Sequence, residues 1–284
     1  MRRSVGRTSQ PIRSSGERMT DADAPLHTRQ DGAVLRITFN RPERRNALTD
    51  AMIMTLLDAI ETAENTDSVR VISIDSANDN FCSGFDLSQR GKPDTPPRFG
   101  ATQRRLRVDI NRFITTMFEC QTPIVAAVCG HAQGLGLAIA LAADVAIVAD
   151  DAVLRAPFTA IGMTPDSGLA WLLPRLVGIA RAKQMVLLAE PVSGVQAADW
   201  GLVMRSVRSA DVAATANEIV DQFAASATVA VGLAKNLMYR GLTTEMAAHL
   251  HNEAIGLEMS SRTEDFKEPR RAKRDNHPIN FQGR

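Results

Sequence analysis

The sequence predicts an α/β protein whose C-terminal part is helical. In the first half, short β-branched segments alternate with segments whose apolar residues recur at helical spacing. This alternation is typical of parallel strands joined by helices. From Gly168 onward nearly every segment has helical spacing. Hydrophobic residues make up 44% and charged residues 23% of the 284 residues, a balance that indicates a globular chain.

Apolar periodicity predicts the individual elements. Leu35, Ile37 and Phe39 share one face of a strand at residues 33–40, and Thr49 or Asp50 can cap the helix that follows. Further strands are predicted at residues 69–75, 123–129, 145–149 and 152–156. Further helices are predicted at residues 106–117, 135–143, 169–177, 180–188, 212–225, 228–240 and 244–261.

Composition excludes several classes of protein. The net charge of +1 provides no electrostatic footprint for nucleic acid, and the most apolar stretch, residues 123–143, is too interrupted by polar residues and glycines to span a membrane. Three cysteines without a CxxC pair argue against disulfides and zinc and predict a cytoplasmic protein. The five histidines are dispersed, so no metal site is predicted. Residues 1–25 hold five Arg and four Ser with few apolar residues, which predicts a disordered N-terminal tail.

Three motifs carry unusual chemistry together. They are NRPERRNAL at residues 40–48, FCSGFDL at residues 81–87 and GHAQGLG at residues 130–136. Glycines let backbone N–H groups approach a ligand, and a helix N-terminus adds oriented donors. Two such loops that converge would offer a pair of N–H donors to a developing oxyanion.

The order and spacing of these motifs resemble the enoyl-CoA hydratase/isomerase (crotonase) superfamily. The resemblance extends from about Ala33 to the C-terminus and includes GMTPDSG at residues 162–168 and ADWGLV at residues 198–203. It implies a crotonase-like spiral of ββα units with a C-terminal helical region. The core would occupy residues 26–210, and residues 211–284 would form a helical trimerisation region. A homotrimer or a dimer of trimers is the expected assembly.

The resemblance also implies a binding site for an acyl-CoA thioester. By motif position, the backbone N–H groups of Phe85 and Leu135 would hold the thioester oxygen. The positions that border CoA are Arg45, Ala47 and Ser83. A basic residue near the C-terminus commonly reaches the CoA of a neighbouring subunit; the aligned position is Asn276, with Lys273 close by. No separate cofactor is expected, because CoA is part of the substrate.

The chain departs from the hydratases of this family at both acid/base positions. Where a hydratase has two glutamates, this chain has Ala138 and Phe158, and neither side chain can hold water or move a proton. A carboxylate does occur at Asp166, where some isomerases of the family place their single acid/base. The same turn could instead cap the following helix through Asp166 or Ser167.

The resulting hypothesis is an enoyl-CoA isomerase with Asp166 as its base and Phe85 and Leu135 as oxyanion donors. One alternative is a hydratase, or another enolate reaction, with an acid/base at an unidentified position. A second alternative is a non-catalytic acyl-CoA binding protein that has lost its acids.

Overall fold

The computed structural model describes residues 24–89 and 98–284, and the predicted disordered tail, residues 1–25, lies almost wholly outside these ranges. The described strands are β1 (Leu26–Asp31), β2 (Val34–Phe39), β3 (Val71–Ser76), β4 (Ile124–Val128), β5 (His131–Gln133), β6 (Val145–Ala149), β7 (Val153–Arg155), β8 (Val192–Ser193) and β9 (Arg205–Val207). The described α-helices are α1 (Asp50–Glu64), α2 (Ala101–Val108), α3 (Ile110–Glu119), α4 (Leu135–Ala142), α5 (Leu169–Leu187), α6 (Gly194–Asp199), α7 (Val212–Ala224), α8 (Thr228–Gly241), α9 (Met246–Ser261) and α10 (Glu264–Asp275).

The strands form two mixed sheets, which confirms the predicted α/β class. The larger sheet has the order β1-β2-β3-β4-β6-β9, and its strands are parallel except for the antiparallel pair β1 and β2. The smaller sheet has the order β5-β7-β8. Because β5 follows β4 directly and α4 follows β5, the short sheet positions the glycine motif at residues 130–136 beside the main sheet.

Helices α1 and α4 show how the sequence pattern becomes the core. Thr49 caps α1, its side chain accepting from the backbone N–H of Met52, and one apolar stripe of α1 is buried. Helix α4 consists only of apolar residues and glycine, and every residue of it is buried. A helix that is apolar on every face is buried on all sides, so α4, including its first residue Leu135, lies inside the protein.

One helix prediction differs from the structure, and a predicted helix break is confirmed. The predicted helix at residues 106–117 is interrupted at Asp109, which separates α2 from α3. The break predicted between the helices on either side of residue 178 is confirmed, because Gly178 interrupts α5 with non-helical torsions, φ 74° and ψ 163°. The apolar spacing continues through Asp109, so it could not reveal that break.

The C-terminal helices are of two kinds. Helix α7 packs on β3, β4 and β6, whereas α8 and α9 form a hairpin with many exposed apolar residues. The division of the chain at residue 210 stays a prediction.

None of the described helices combines the length and apolar character needed to cross a bilayer.

Candidate functional site

Two of the glycine-containing loops are joined by backbone hydrogen bonds. The N–H of Cys82 donates to the carbonyl of His131 at 2.8 Å, and the N–H of Gln133 donates to the carbonyl of Cys82 at 3.0 Å. The two motifs therefore run side by side, as the sequence led us to expect.

The glycines in these loops allow a very close approach. A Cβ atom on Gly84 would lie 2.8 Å from the carbonyl oxygen of Gln133 and 3.6 Å from the backbone N of Leu135. A Cβ atom on Gly136 would lie 2.2 Å from the carbonyl oxygen of Cys82. Side chains at either position would force the loops apart.

The local backbone orients the two predicted donors. Leu48 and Phe85 form a parallel bridge, in which the N–H of Leu48 donates to the carbonyl of Gly84 and the carbonyl of Leu48 accepts from the N–H of Asp86. In a parallel pair the residue between these two hydrogen bonds directs its own N–H to the other side, so the N–H of Phe85 points away from Leu48. Leu135 is the first residue of α4, where backbone N–H groups lack intrahelical acceptors and the helix dipole favours negative charge. This is the type of arrangement that stabilises an oxyanion.

A cavity of about 90 Å³ lies where the loops meet. Phe85, Leu135 and Asp166 all line it, so the structure brings the three predicted catalytic positions together. Its complete lining is Ser83, Gly84, Phe85, Leu87, Ile110, Gly134, Leu135, Pro157, Phe158, Ile161, Met163, Asp166 and Ser167. Asp166 is the one carboxylate among these described lining residues.

The structure contradicts the helix-capping role considered for Asp166. Helix α5 is preceded by Gly168, and no side chain caps its N-terminus. The carboxylate instead accepts a hydrogen bond from the Ser167 hydroxyl, with 2.7 Å between Ser167 Oγ and Asp166 Oδ1.

Apolar side chains occupy both positions of the missing glutamates. Ala138 is completely buried inside α4. Phe158 is 6% exposed and lines the cavity, with its ring tip 3.8 Å from a Cβ built on Gly134. The cavity is therefore apolar at Phe158, and Ala138 is not among its lining residues.

The predicted CoA-side residues fall into two places. The backbone N–H of Ser83 donates to the carbonyl of Arg45 at 3.0 Å, and the Ser83 hydroxyl donates to the carbonyl of Arg44, so Arg45, Ala47 and Ser83 lie at one edge of the cavity. Lys273 is exposed on α10, and none of the contacts seen among the described residues brings it to this edge.

A polar network that the sequence did not reveal holds the motif at residues 40–48 against the glycine loops. Arg41 donates to Asp86 at 2.7 Å and to the carbonyl of Ala47 at 2.9 Å. The pKa of Asp86 is lowered, first by the Ser88 hydroxyl and then by Arg41, against the opposing effect of burial.

The same network continues through buried amides. Asn46 is fully buried and donates to the carbonyl of Asn80 at 2.6 Å, and the Asn80 side chain lies 2.7 Å from Nδ1 of His131. The asparagines at positions 78 and 80 look like ordinary turn residues in the sequence, so nothing local predicted this network. In the structure Asn46 has a positive φ of 56°.

A larger cavity, about 630 Å³, lies between α3, α5 and α8. It is lined by Phe118, Trp171 and Tyr239 among others, and it lacks the converging loops. We therefore assign the site by its chemistry rather than by its volume. The two cavities are neighbours, since Gly168 lines the larger and Ser167 the smaller.

Comparison with known proteins gives consistent results. The family model "Enoyl-CoA hydratase/isomerase" matches residues 29–284. The chain is 32% identical to the 1,2-epoxyphenylacetyl-CoA isomerase of Escherichia coli over 237 residues, 83% of this chain and 89% of that protein. It is 34% identical over 248 residues to a protein of Rhodobacter capsulatus named "Probable enoyl-CoA hydratase", 87% of this chain and 94% of that one. The crystal structure of the enoyl-CoA hydratase from Bacillus anthracis superposes with a TM-score of 0.84 at 25% identity, covering 92% of this chain and 100% of that chain.

Proposed function

The chain belongs to the enoyl-CoA hydratase/isomerase (crotonase) family of acyl-CoA enzymes, and we propose that its reaction shifts the double bond of a 3-enoyl-CoA to the 2-position. The observation that carries this proposal is that Asp166 is the one carboxylate among the described lining residues, while Ala138 and Phe158 stand at the two positions where a hydratase has glutamates. Double-bond migration needs one acid/base, whereas hydration needs a base for the water and an acid for the α-carbon.

In the proposed mechanism the proton moves within one molecule of substrate. The Asp166 carboxylate removes a proton from the α-carbon, and the electron pair of that C–H bond spreads over the dienolate. The N–H groups of Phe85 and Leu135 hold the negative thioester oxygen. Asp166 then returns the proton to the γ-carbon, so that no water is consumed.

The apolar wall suits this reaction. Phe158 and the neighbouring Pro157 face the cavity, and water excluded from it can neither quench the dienolate nor add to the double bond. We assign the CoA end of the substrate to the cavity edge formed by Arg45, Ala47 and Ser83. Lys273 would act on the CoA bound to a neighbouring subunit.

The proposed assembly is a trimer or a dimer of trimers, and the proposed location is the cytoplasm. The assembly is supported by exposed apolar residues on α8 and α9, which are Met238, Met246, Leu250, Ile255, Leu257 and Met259. The location is supported by the three cysteines, all of which carry free thiols.

The test follows the ultraviolet absorbance of the conjugated thioester. We expect absorbance to rise with a 3-enoyl-CoA, and to stay constant with a 2-enoyl-CoA. Asp166→Asn should lower kcat at least about 100-fold, the lower range of general-base contributions. Asp67→Asn, a change at an exposed carboxylate, should leave kcat unchanged.

Two outcomes would contradict the proposal. Loss of absorbance with the 2-enoyl-CoA would show hydration, and an acid/base elsewhere in the chain. Stabilisation of the protein by acyl-CoA without turnover of either substrate would show a binding protein.

A further inference from the structure

Ser167 has an unfavourable backbone conformation at the cavity. Its φ is +54°, in the left-handed region that glycine takes readily and serine rarely does. The residue is only 1% exposed, so its hydroxyl does not form its hydrogen bonds with bulk water. Residues held in this conformation concentrate at active sites, where the surrounding structure enforces them.

The Ser167 hydroxyl has a specific partner. It donates to Oδ1 of Asp166 at 2.7 Å, and both residues line the cavity. Across residues 24–89 and 98–284, no hydrogen bond to the second oxygen, Oδ2, is seen. One oxygen of the carboxylate is therefore fixed, and the other is available to a ligand.

We propose that Ser167 is a positioning residue, which holds Asp166 so that Oδ2 faces the reacting carbons. This inference rests on the proposed function and names how its base is oriented. A carboxylate that must take a proton from one carbon and return it to another needs a defined position throughout the reaction. With the backbone of Ser167 in the left-handed region, its hydroxyl lies beside the carboxylate of the preceding residue.

The test separates the effect of the Ser167 hydroxyl from the effect of the residue's backbone conformation. Ser167→Gly removes the hydroxyl and relieves the backbone, so we expect an unchanged or higher Tm together with a kcat about 10- to 100-fold lower and an unchanged KM. Ser167→Ala removes the hydroxyl and keeps a side chain, and it should lower kcat to a similar extent. The loss in both variants excludes added backbone flexibility as its cause.

Ala189 supplies the matched control. It is also non-glycine with a positive φ of 53°, it is 3% exposed just after α5, and it is not among the residues that line the cavity. Ala189→Gly should leave kcat unchanged. A fall in kcat equal to that of Ser167→Gly would overturn the inference, because relief of the backbone alone would then explain both.

The Asp166→Asn background distinguishes this inference from the proposed function. We expect Ser167→Ala to cause no further loss of activity there, because its effect acts through the carboxylate. Wild-type kcat in both Ser167 variants, with Asp166→Asn inactive, would overturn the role of Ser167 and leave the isomerase proposal intact. Full activity of Asp166→Asn would overturn both.

Discussion

Asp86 is a buried carboxylate whose charge is compensated on two sides. The Ser88 hydroxyl donates to Oδ1 at 2.6 Å, and Arg41 donates to Oδ2 at 2.7 Å. It follows Phe85 directly, so its position bears on the orientation of a predicted oxyanion donor. Its role is to hold the loop, since it does not line the cavity.

Asp86→Asn should lower the free energy of unfolding by about 1–3 kcal/mol at pH 7, because Arg41 loses its buried charged partner and keeps the exposed Glu43. The pKa of Asp86 is lowered in the folded protein, so this stabilisation is present above about pH 4 and is lost as the pH falls further. Urea denaturation at pH 7 and at pH 3.5 measures the difference between wild type and variant. An equal difference at both pH values would show that the charge contributes nothing.

At the scale of elements, the contact between the strand segment at Cys82 and the start of α4 determines the site. Gly136 allows that contact, because any side chain would meet the Cys82 carbonyl. The helix cannot retreat easily, since all of its residues are buried. Displacement of α4 would therefore move Leu135 relative to Phe85.

Gly136→Ala should lower kcat about 100-fold and the free energy of unfolding by about 1–3 kcal/mol. Its matched control is Gly201→Ala, where φ is +73° but no atom lies within 4 Å of the added Cβ. The control should cost about 1–2 kcal/mol of stability and leave kcat unchanged. Enzyme kinetics and urea denaturation measure the two quantities, and a normal kcat in Gly136→Ala would contradict the assigned contact.

Local pattern predicted the elements that have one apolar face, such as β2 and α1, and the glycines predicted that two loops approach a ligand. Helix α10 was not predicted, because its sequence is mostly charged. Its buried Asp265 and Glu268 accept from backbone N–H groups of residues 280, 282 and 283, partners 12 to 18 residues away. The link between Asn80 and His131 likewise spans 51 residues and depends on the completed fold.

At the scale of the whole molecule, a buried ion pair attaches the C-terminal helices to the core. Lys235 on α8 donates to Asp144 at 2.8 Å and to the carbonyl of Met117 at 2.9 Å. Burial raises the pKa of Asp144 even though Lys235 opposes the shift. Such a pair contributes more to where α8 lies than to net stability.

With α8 anchored, the exposed apolar residues of α9 are presented outward. Leu250 and Leu257 lie seven residues apart, on one face of the helix, and are 52% and 66% exposed. We expect the mass of the wild type, measured by analytical ultracentrifugation, to be three times the 30.8 kDa chain mass or a multiple of that. The double variant Leu250→Glu, Leu257→Glu should have the mass of a single chain. Met54→Glu, at an exposed apolar residue of α1, should leave the assembly intact. Wild type sedimenting as a single chain would refute the proposed trimer.

The two proposed oxyanion donors are main-chain groups, and this has a consequence for inheritance. Every amino acid except proline supplies a peptide N–H, so substitutions at codons 85 and 135 that still pack against the core leave the donor in place. Under the proposed mechanism, heritable loss of the reaction would instead concentrate at Gly84 and Gly136, where a side chain would meet backbone atoms, and at Asp166, the proposed base.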